Sequence, residues 1–329
     1  MVRGSADRFG VAEWYGRLIE TIPVEQRHEY GELGASKLSG LPCPFRQAAS
    51  PGAECKKKGG VCTLRKHTQA PDGTVTVIPP LVTLCPSRFW EGNLIFERIG
   101  LDILATSQPT LVKEVQFLAS LGETEEAEGE EAVGRIDTII VDPDDEQRWC
   151  ALELQAVYFS GEKMGSHLAQ YSAAQEAPVY PDKNRRPDYR SSGPKRLMPQ
   201  LQIKVPTLRR WGKKMAVVVD KPFYGSLGNM VKVNHLSNAD IAWYIVNYDE
   251  SGNIFVEDTR FTTLESSVEA LTAGKPLSQE QFEAEFQSFL HARNKRARSK
   301  VIRLRQPEPS PDGGSIVQEG AELPDTDQI

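Results

Sequence analysis

Between residues 93 and 262 the chain carries five short apolar runs, at 110–118, 135–142, 149–159, 215–220 and 242–248. Each has the length of a strand and is too short for a buried helix of ordinary size. Helical periodicity separates some of them, notably at 165–175, so the pattern predicts an α/β fold in which a mixed sheet is flanked by helices. Upstream, Phe9, Val11, Trp14, Leu18, Ile19 and Ile22 recur near the 3.6 period and predict a helix over 9–30. Downstream, Phe282, Phe286, Phe289 and Leu290 follow the candidate N-cap Ser278 and predict a last helix over 278–298. Beyond Arg305 the Pro, Gly, Ser, Asp and Glu content predicts a disordered tail.

Charge is unevenly placed. Six glutamates fall between Glu123 and Glu131, and six acidic residues with no basic one follow Arg305. Without those two segments the net charge of −6 turns positive, with 33 acidic against 39 basic residues. Eleven Lys or Arg and one acid, Asp188, lie in 183–214, and seven Lys or Arg with no acid lie in 293–305. Two such segments in a mildly acidic chain suit a polyanionic partner; taken singly, each reads equally well as a solvated face. No run approaches the roughly 18 to 20 apolar residues of a membrane helix, and MVRGSADRFG lacks the apolar stretch of a secretory signal. A cytoplasmic protein without membrane contact is expected.

Four of the five cysteines, Cys43, Cys55, Cys62 and Cys85, fall in a Gly- and Pro-interrupted stretch with little apolar regularity. Four thiolates are a complete tetrahedral set, so a structural metal would stabilise a segment that otherwise lacks a core. Thiolates accept zinc as readily as iron, and the gaps of 11, 6 and 22 residues contain no Cys-x-x-Cys pair. The competing reading is a set of unrelated buried thiols. Cys150, alone in a predicted strand, reads as packing.

Acids interrupt three successive apolar runs. Period-two alternation places Glu153 and Gln155 on one face of the run 149–159, Asp137 sits in the preceding run and Glu114 in the one before. A carboxylate centred in an apolar strand is expensive to bury unless it is paired or holds a cation. Singly, each acid is more often an exposed or salt-bridged residue. Together they suit oxygen ligation of Mg²⁺ beside a phosphodiester.

Asp137 followed by Glu153-Leu154-Gln155 resembles the PD-(D/E)XK nuclease core in its Glu-x-Gln variant, with glutamine where lysine is usual. With Cys43-Pro44-Phe45, Gly60-Val61-Cys62, Leu84-Cys85-Pro86 and Phe159-Ser160-Gly161 in this order, the chain resembles the NotI family of type II restriction endonucleases over about residues 10–300. The resemblance implies a restriction-endonuclease-like mixed sheet with a small N-terminal four-cysteine metal-binding subdomain. It implies a Mg²⁺-dependent site-specific deoxyribonuclease, a homodimer that cuts double-stranded DNA at a GC-rich palindrome containing GGCC, paired with a cognate methyltransferase in a bacterial or archaeal cytoplasm. By position, Glu114, Asp137, Glu153 and Gln155 would form the active site, with Glu114, Asp137 and Glu153 as magnesium ligands. Cys43, Cys55, Cys62 and Cys85 would hold structural iron, with zinc the alternative. The Glu-rich insertion between Glu114 and Asp137 departs from the family pattern and bears on Glu114 first.

DNA contacts would come from Arg185, Arg186, Arg190, Lys195, Arg196, Lys204, Arg209, Arg210, Lys213 and Lys214, some reading guanine and more holding phosphate. The organisation expected is an N-terminal helix (1–35), the cysteine subdomain (36–92), a nuclease core (93–265) holding the basic segment 183–214, a C-terminal helix and basic segment (266–305) and an acidic tail (306–329). Two other readings compete: a metal-stapled DNA-binding regulator that cuts nothing, and a PD-(D/E)XK nuclease of repair or mobile-element processing.

Overall fold

The computed structural model describes residues 8–35, 40–70, 74–118, 134–160, 164–173, 185–272, 277–292 and 300–302. The Glu-rich run at 123–131, most of the basic run at 293–305 and the tail at 306–329 lie outside these residues.

The chain opens with β1 (Arg8–Trp14), β2 (Arg17–Leu18) and α1 (Val24–Ala35), continues through β3 (Val61–Gln69) and β4 (Val75–Thr83), and reaches α2 (Leu94–Ile99) after a 3₁₀ segment, Pro86–Asn93. Strands β5 (Thr110–Gln116), β6 (Arg135–Asp142) and β7 (Asp145–Leu154) follow. Then come β8 (Phe159–Ser160), α3 (Met164–Ala173), β9 (Arg186–Pro187), α4 (Tyr189–Ser192), a π-helical turn at Gly193–Leu197 and α5 (Met198–Arg210). The remaining elements are β10 (Met215–Asp220), α6 (Lys221–Gly225), β11 (Ile241–Tyr248), β12 (Ile254–Thr262), α7 (Leu264–Leu271) and α8 (Gln279–Leu290).

The helix expected over 9–30 is a correction. Residues 8–14 form a strand between β2 and β3, and helix begins only at Val24. Tyr15 and Gly16 take left-handed φ values of 47° and 79°, which no continuous helix accommodates. Ile22 is extended before Pro23, as a residue preceding proline tends to be. A Cβ at position 16 would meet Pro44 Cγ at 2.2 Å, so this turn also requires glycine for space. The segment 36–92 is likewise not a coreless stretch. It supplies β3 and β4, and β3 pairs with β1 in a four-stranded antiparallel sheet of order β2-β1-β3-β4.

The five runs predicted as strands are β5, β6, β7, β10 and β11, joined by β12 in a six-stranded mixed sheet of order β12-β11-β10-β7-β6-β5. β10 lies parallel to both neighbours, and the outer pairs are antiparallel. All six residues of β10 are buried, as expected of a strand covered on both faces. One face, with Ile140, Leu152, Ala216, Val218 and Tyr244, packs with Val11 and Trp14 of β1 and Ile95, Phe96 and Ile99 of α2. The other, with Ile139, Ala151, Val217, Val219 and Trp243, packs with Leu201, Val205 and Leu208 of α5 and Leu271 of α7. Period-two alternation in the strands thus meets a helical stripe at 201, 205 and 208.

Residues 1–275 form one compact unit and residues 276–329 a second. Within the second, α8 follows Ser278, the N-cap candidate of the sequence, which forms a full capping box with Gln281; the helix ends at Leu290 rather than continuing to 298, and residues 293–299 lie outside those described. Among the described residues no helix is long and apolar enough to cross a membrane.

Candidate active site

Strand pairing brings two of the predicted acids together. Lys113 pairs with Thr138 and Val115 with Ile136, but Glu114 between them drops out of the pairing. Thr138 pairs with Leu152, and the same register one residue on sets Asp137 opposite Glu153. Glu153 in turn pairs with Val217 at the sheet centre. Directly opposite residues share a face, so Asp137 and Glu153 belong to the face that α5 covers.

The members differ in surroundings. Glu153 is 5% exposed, whereas Asp137 and Glu114 are exposed. Burial is the largest influence on Glu153; the opposing charge of Asp137 adds to it, and together they push its carboxyl up to about 8 despite the ammonium of Lys204. Asp137 and Glu153 share a side-chain hydrogen bond. Lys204 Nζ donates to Glu153 Oε1 from the interior. Glu114 has a left-handed φ of 53°, which interrupts the β5–β6 ladder at that residue.

Gln155 lies just past β7. Its backbone N–H donates to Val218, and its side-chain amide donates to the Ala156 carbonyl at 2.6 Å. Asp137 and Glu153 are therefore brought together, while Glu114 is exposed on β5 and Gln155 follows the end of β7. Among the described residues no group of three or more His, Cys, Asp or Glu is arranged to hold a metal ion.

The basic residues sort into two sets. Lys204, placed by the sequence among DNA contacts, is fully buried. This corrects that expectation: an ammonium enclosed against Glu153 does not reach a DNA backbone. Arg185 is also buried. Arg209 binds Asp240 through two nitrogens, at 2.9 and 2.6 Å, and also meets Glu265. Lys213 and Lys214 donate to backbone carbonyls, at Gln147 for the first and Ser237 and Ala239 for the second, and Arg210 donates to Thr207. By contrast Arg186, Arg190, Lys195 and Arg196 are exposed in the segment from β9 to the π-helical turn. Arg196 stacks on the Tyr158 ring, 3.6 Å from its centroid, three residues beyond Gln155.

Loop hydrogen bonds draw the cysteines together in pairs. Cys43 N–H donates to Ala53 and Cys55 N–H to Leu41, while Cys85 N–H donates to the Cys62 carbonyl at 3.1 Å. All four are free thiols, three of them buried. Burial pushes the Cys55 and Cys62 thiols up, with neighbouring Cys85 and Cys43 adding to the first, and Glu13 and then Cys85 and Cys55 to the second. The four thus lie within electrostatic reach of one another, without forming a ligating group.

A mixed sheet flanked by helices and carrying paired acids on its helix-covered face is consistent with a restriction-endonuclease-like fold. The profile described as "Restriction endonuclease NotI" matches residues 31–261, most of the chain. The protein belongs to the NotI family of restriction endonucleases and is accordingly a site-specific deoxyribonuclease of the type II restriction class. No curated protein matches the chain.

The sequence missed Lys204 as a partner of Glu153 and Tyr158 as a partner of Arg196. The first was legible in principle. Positions 201, 204, 205 and 208 are spaced as one helical stripe, and a lysine among three apolar residues there is a buried lysine.

Proposed function

We propose that this chain cleaves both strands of duplex DNA at a GC-rich palindrome containing GGCC by Mg²⁺-dependent phosphodiester hydrolysis, in the manner of a PD-(D/E)XK enzyme. The observation that carries the reading is the Asp137–Glu153 pair: two carboxylates in contact at the middle of a sheet, one buried and one open to solvent. With both carboxyls ionised their charges would repel, which a hard divalent cation would relieve, and carboxylate oxygens are the donors Mg²⁺ prefers.

Asp137 and Glu153, with the Leu154 carbonyl, would hold the ion. Glu114, on the neighbouring strand β5, would complete the set or bind a second ion. An ion held by these residues would supply a lowered water pKa and offset charge on the scissile phosphate. Gln155, whose amide nitrogen is engaged by the Ala156 carbonyl, could offer its side-chain oxygen to a water there but would be no base, since an amide does not take up a proton near neutral pH. Arg186, Arg190, Lys195 and Arg196 would hold phosphate or read guanine edges. A homodimer would present these contacts twice to a palindrome, and a methyltransferase would protect the host's own sites. Family resemblance alone assigns Cys43, Cys55, Cys62 and Cys85 to one structural iron, with zinc the alternative by donor preference, although their thiols are not arranged as a ligating group here. Metal analysis of the purified protein should find about one equivalent of either ion.

The test is incubation of the protein with long duplex DNA and Mg²⁺, with and without EDTA. Discrete fragments that vanish with EDTA are expected. A smear would favour a nuclease of repair or mobile-element processing, and intact but retarded DNA a binding protein that cuts nothing.

A further inference from the structure

Helix α5 presents Leu201, Lys204, Val205 and Leu208 as its buried stripe, and Lys204 is 0% exposed among them. A buried ion pair is a poor way to stabilise a core: apolar residues of the same volume do as well or better. The pair also joins the sheet at the residue where the two acids meet the core. Glu153 has Lys204 on Oε1 from the helix side, and shares a hydrogen bond with Asp137, itself exposed. On the strand, Gln155 offers no charge, and its amide is occupied by Ala156.

We propose that Lys204 is the positioning residue of the cation site: it pins one oxygen of Glu153 from inside the fold and leaves the carboxylate directed at Asp137 and the solvent side. The role rests on the reading of Asp137 and Glu153 as cation ligands. It moves Lys204 from DNA binding to the support of catalysis and assigns the site's fixed positive charge to helix α5. Fixing a ligand's geometry beforehand lowers the ordering that binding a cation would otherwise require.

The experiment measures Mg²⁺ binding by titration calorimetry without DNA, and single-turnover cleavage of duplex DNA across a Mg²⁺ titration, for wild type, Lys204→Met, Lys204→Gln and Asp137→Asn, with melting curves for each. Positioning predicts that the half-saturating Mg²⁺ concentration rises at least fivefold in Lys204→Met. Removing a nearby positive charge would by itself tighten cation binding. A fall in half-saturation would therefore mark Lys204 as a mere electrostatic opponent, and no change would mark it as core packing; either overturns the proposal. Should Lys204→Met melt below the assay temperature, Lys204→Gln, which keeps length and a hydrogen-bond donor without the charge, decides on the same criterion. Asp137→Asn tests the underlying reading separately: wild-type cleavage there removes the cation site itself, whatever the lysine variants do.

Discussion

Asp220 ends the buried strand β10 and caps α6, its carboxylate accepting from Phe223 N–H at 2.8 Å and Thr83 N–H at 2.6 Å. Burial outweighs both bonds and pushes its carboxyl up to about 6. A carboxyl raised on folding stabilises the protein fully below its unfolded value near 4, and that contribution is lost as pH rises through about 6. The loss corresponds to about 3 kcal/mol between these limits. Urea unfolding of wild type and Asp220→Asn from pH 4 to 7 should show a shallower decline in the variant, and identical slopes would be inconsistent with this origin. Cys150 gives a second prediction at this scale. Burial pushes its thiol up to about 12, so it should resist alkylation at pH 8 in the folded protein and react after denaturation. The residues at the site were legible unequally. Asp137 and Glu153 stood out because a lone acid in an apolar strand is conspicuous and period two fixes its face. Lys204 did not, because its partner lies 51 residues away across a helix–sheet interface.

Among the elements, α5 carries the most consequence, since it covers the face of the paired acids and delivers Lys204. Leu201 and Leu208 are both fully buried against the sheet. Leu201→Ala should cost about 2 to 5 kcal/mol of stability by denaturant unfolding, the usual range for a buried leucine truncation. A cost below about 1 kcal/mol would mean that α5 is not packed as described. This helix was hidden in the sequence by Pro199 in its first turn, where proline is tolerated, by Pro206 in its interior and by its basic flanks. β10 and β11 were legible because strands covered on both faces read as unbroken apolar runs. β4 and β12 were not, because both are edge strands: β4 contains Pro79 and Pro80, and β12 carries Glu257, Asp258 and Arg260. The N-terminal run misled because its apolar residues are close enough to helical spacing, while the turn at Tyr15–Gly16 is a backbone property that periodicity does not register.

For the whole molecule, the net charge of −6 conceals an exposed basic set at Arg186, Arg190, Lys195 and Arg196, of which Arg196 stacks on Tyr158. Affinity for duplex DNA should fall roughly tenfold or more between about 50 and 200 mM salt as phosphate contacts release counterions. Arg196→Ala should weaken binding and flatten that dependence; a flat wild-type curve would contradict the assignment of this surface. These residues matter only if the DNA they hold meets a cation at Asp137 and Glu153. The most direct measurement is therefore the single-turnover rate of duplex cleavage by Asp137→Asn at saturating Mg²⁺, with DNA binding followed in parallel. Loss of at least a thousandfold in rate with binding retained is the predicted result, and cleavage at the wild-type rate would contradict the account.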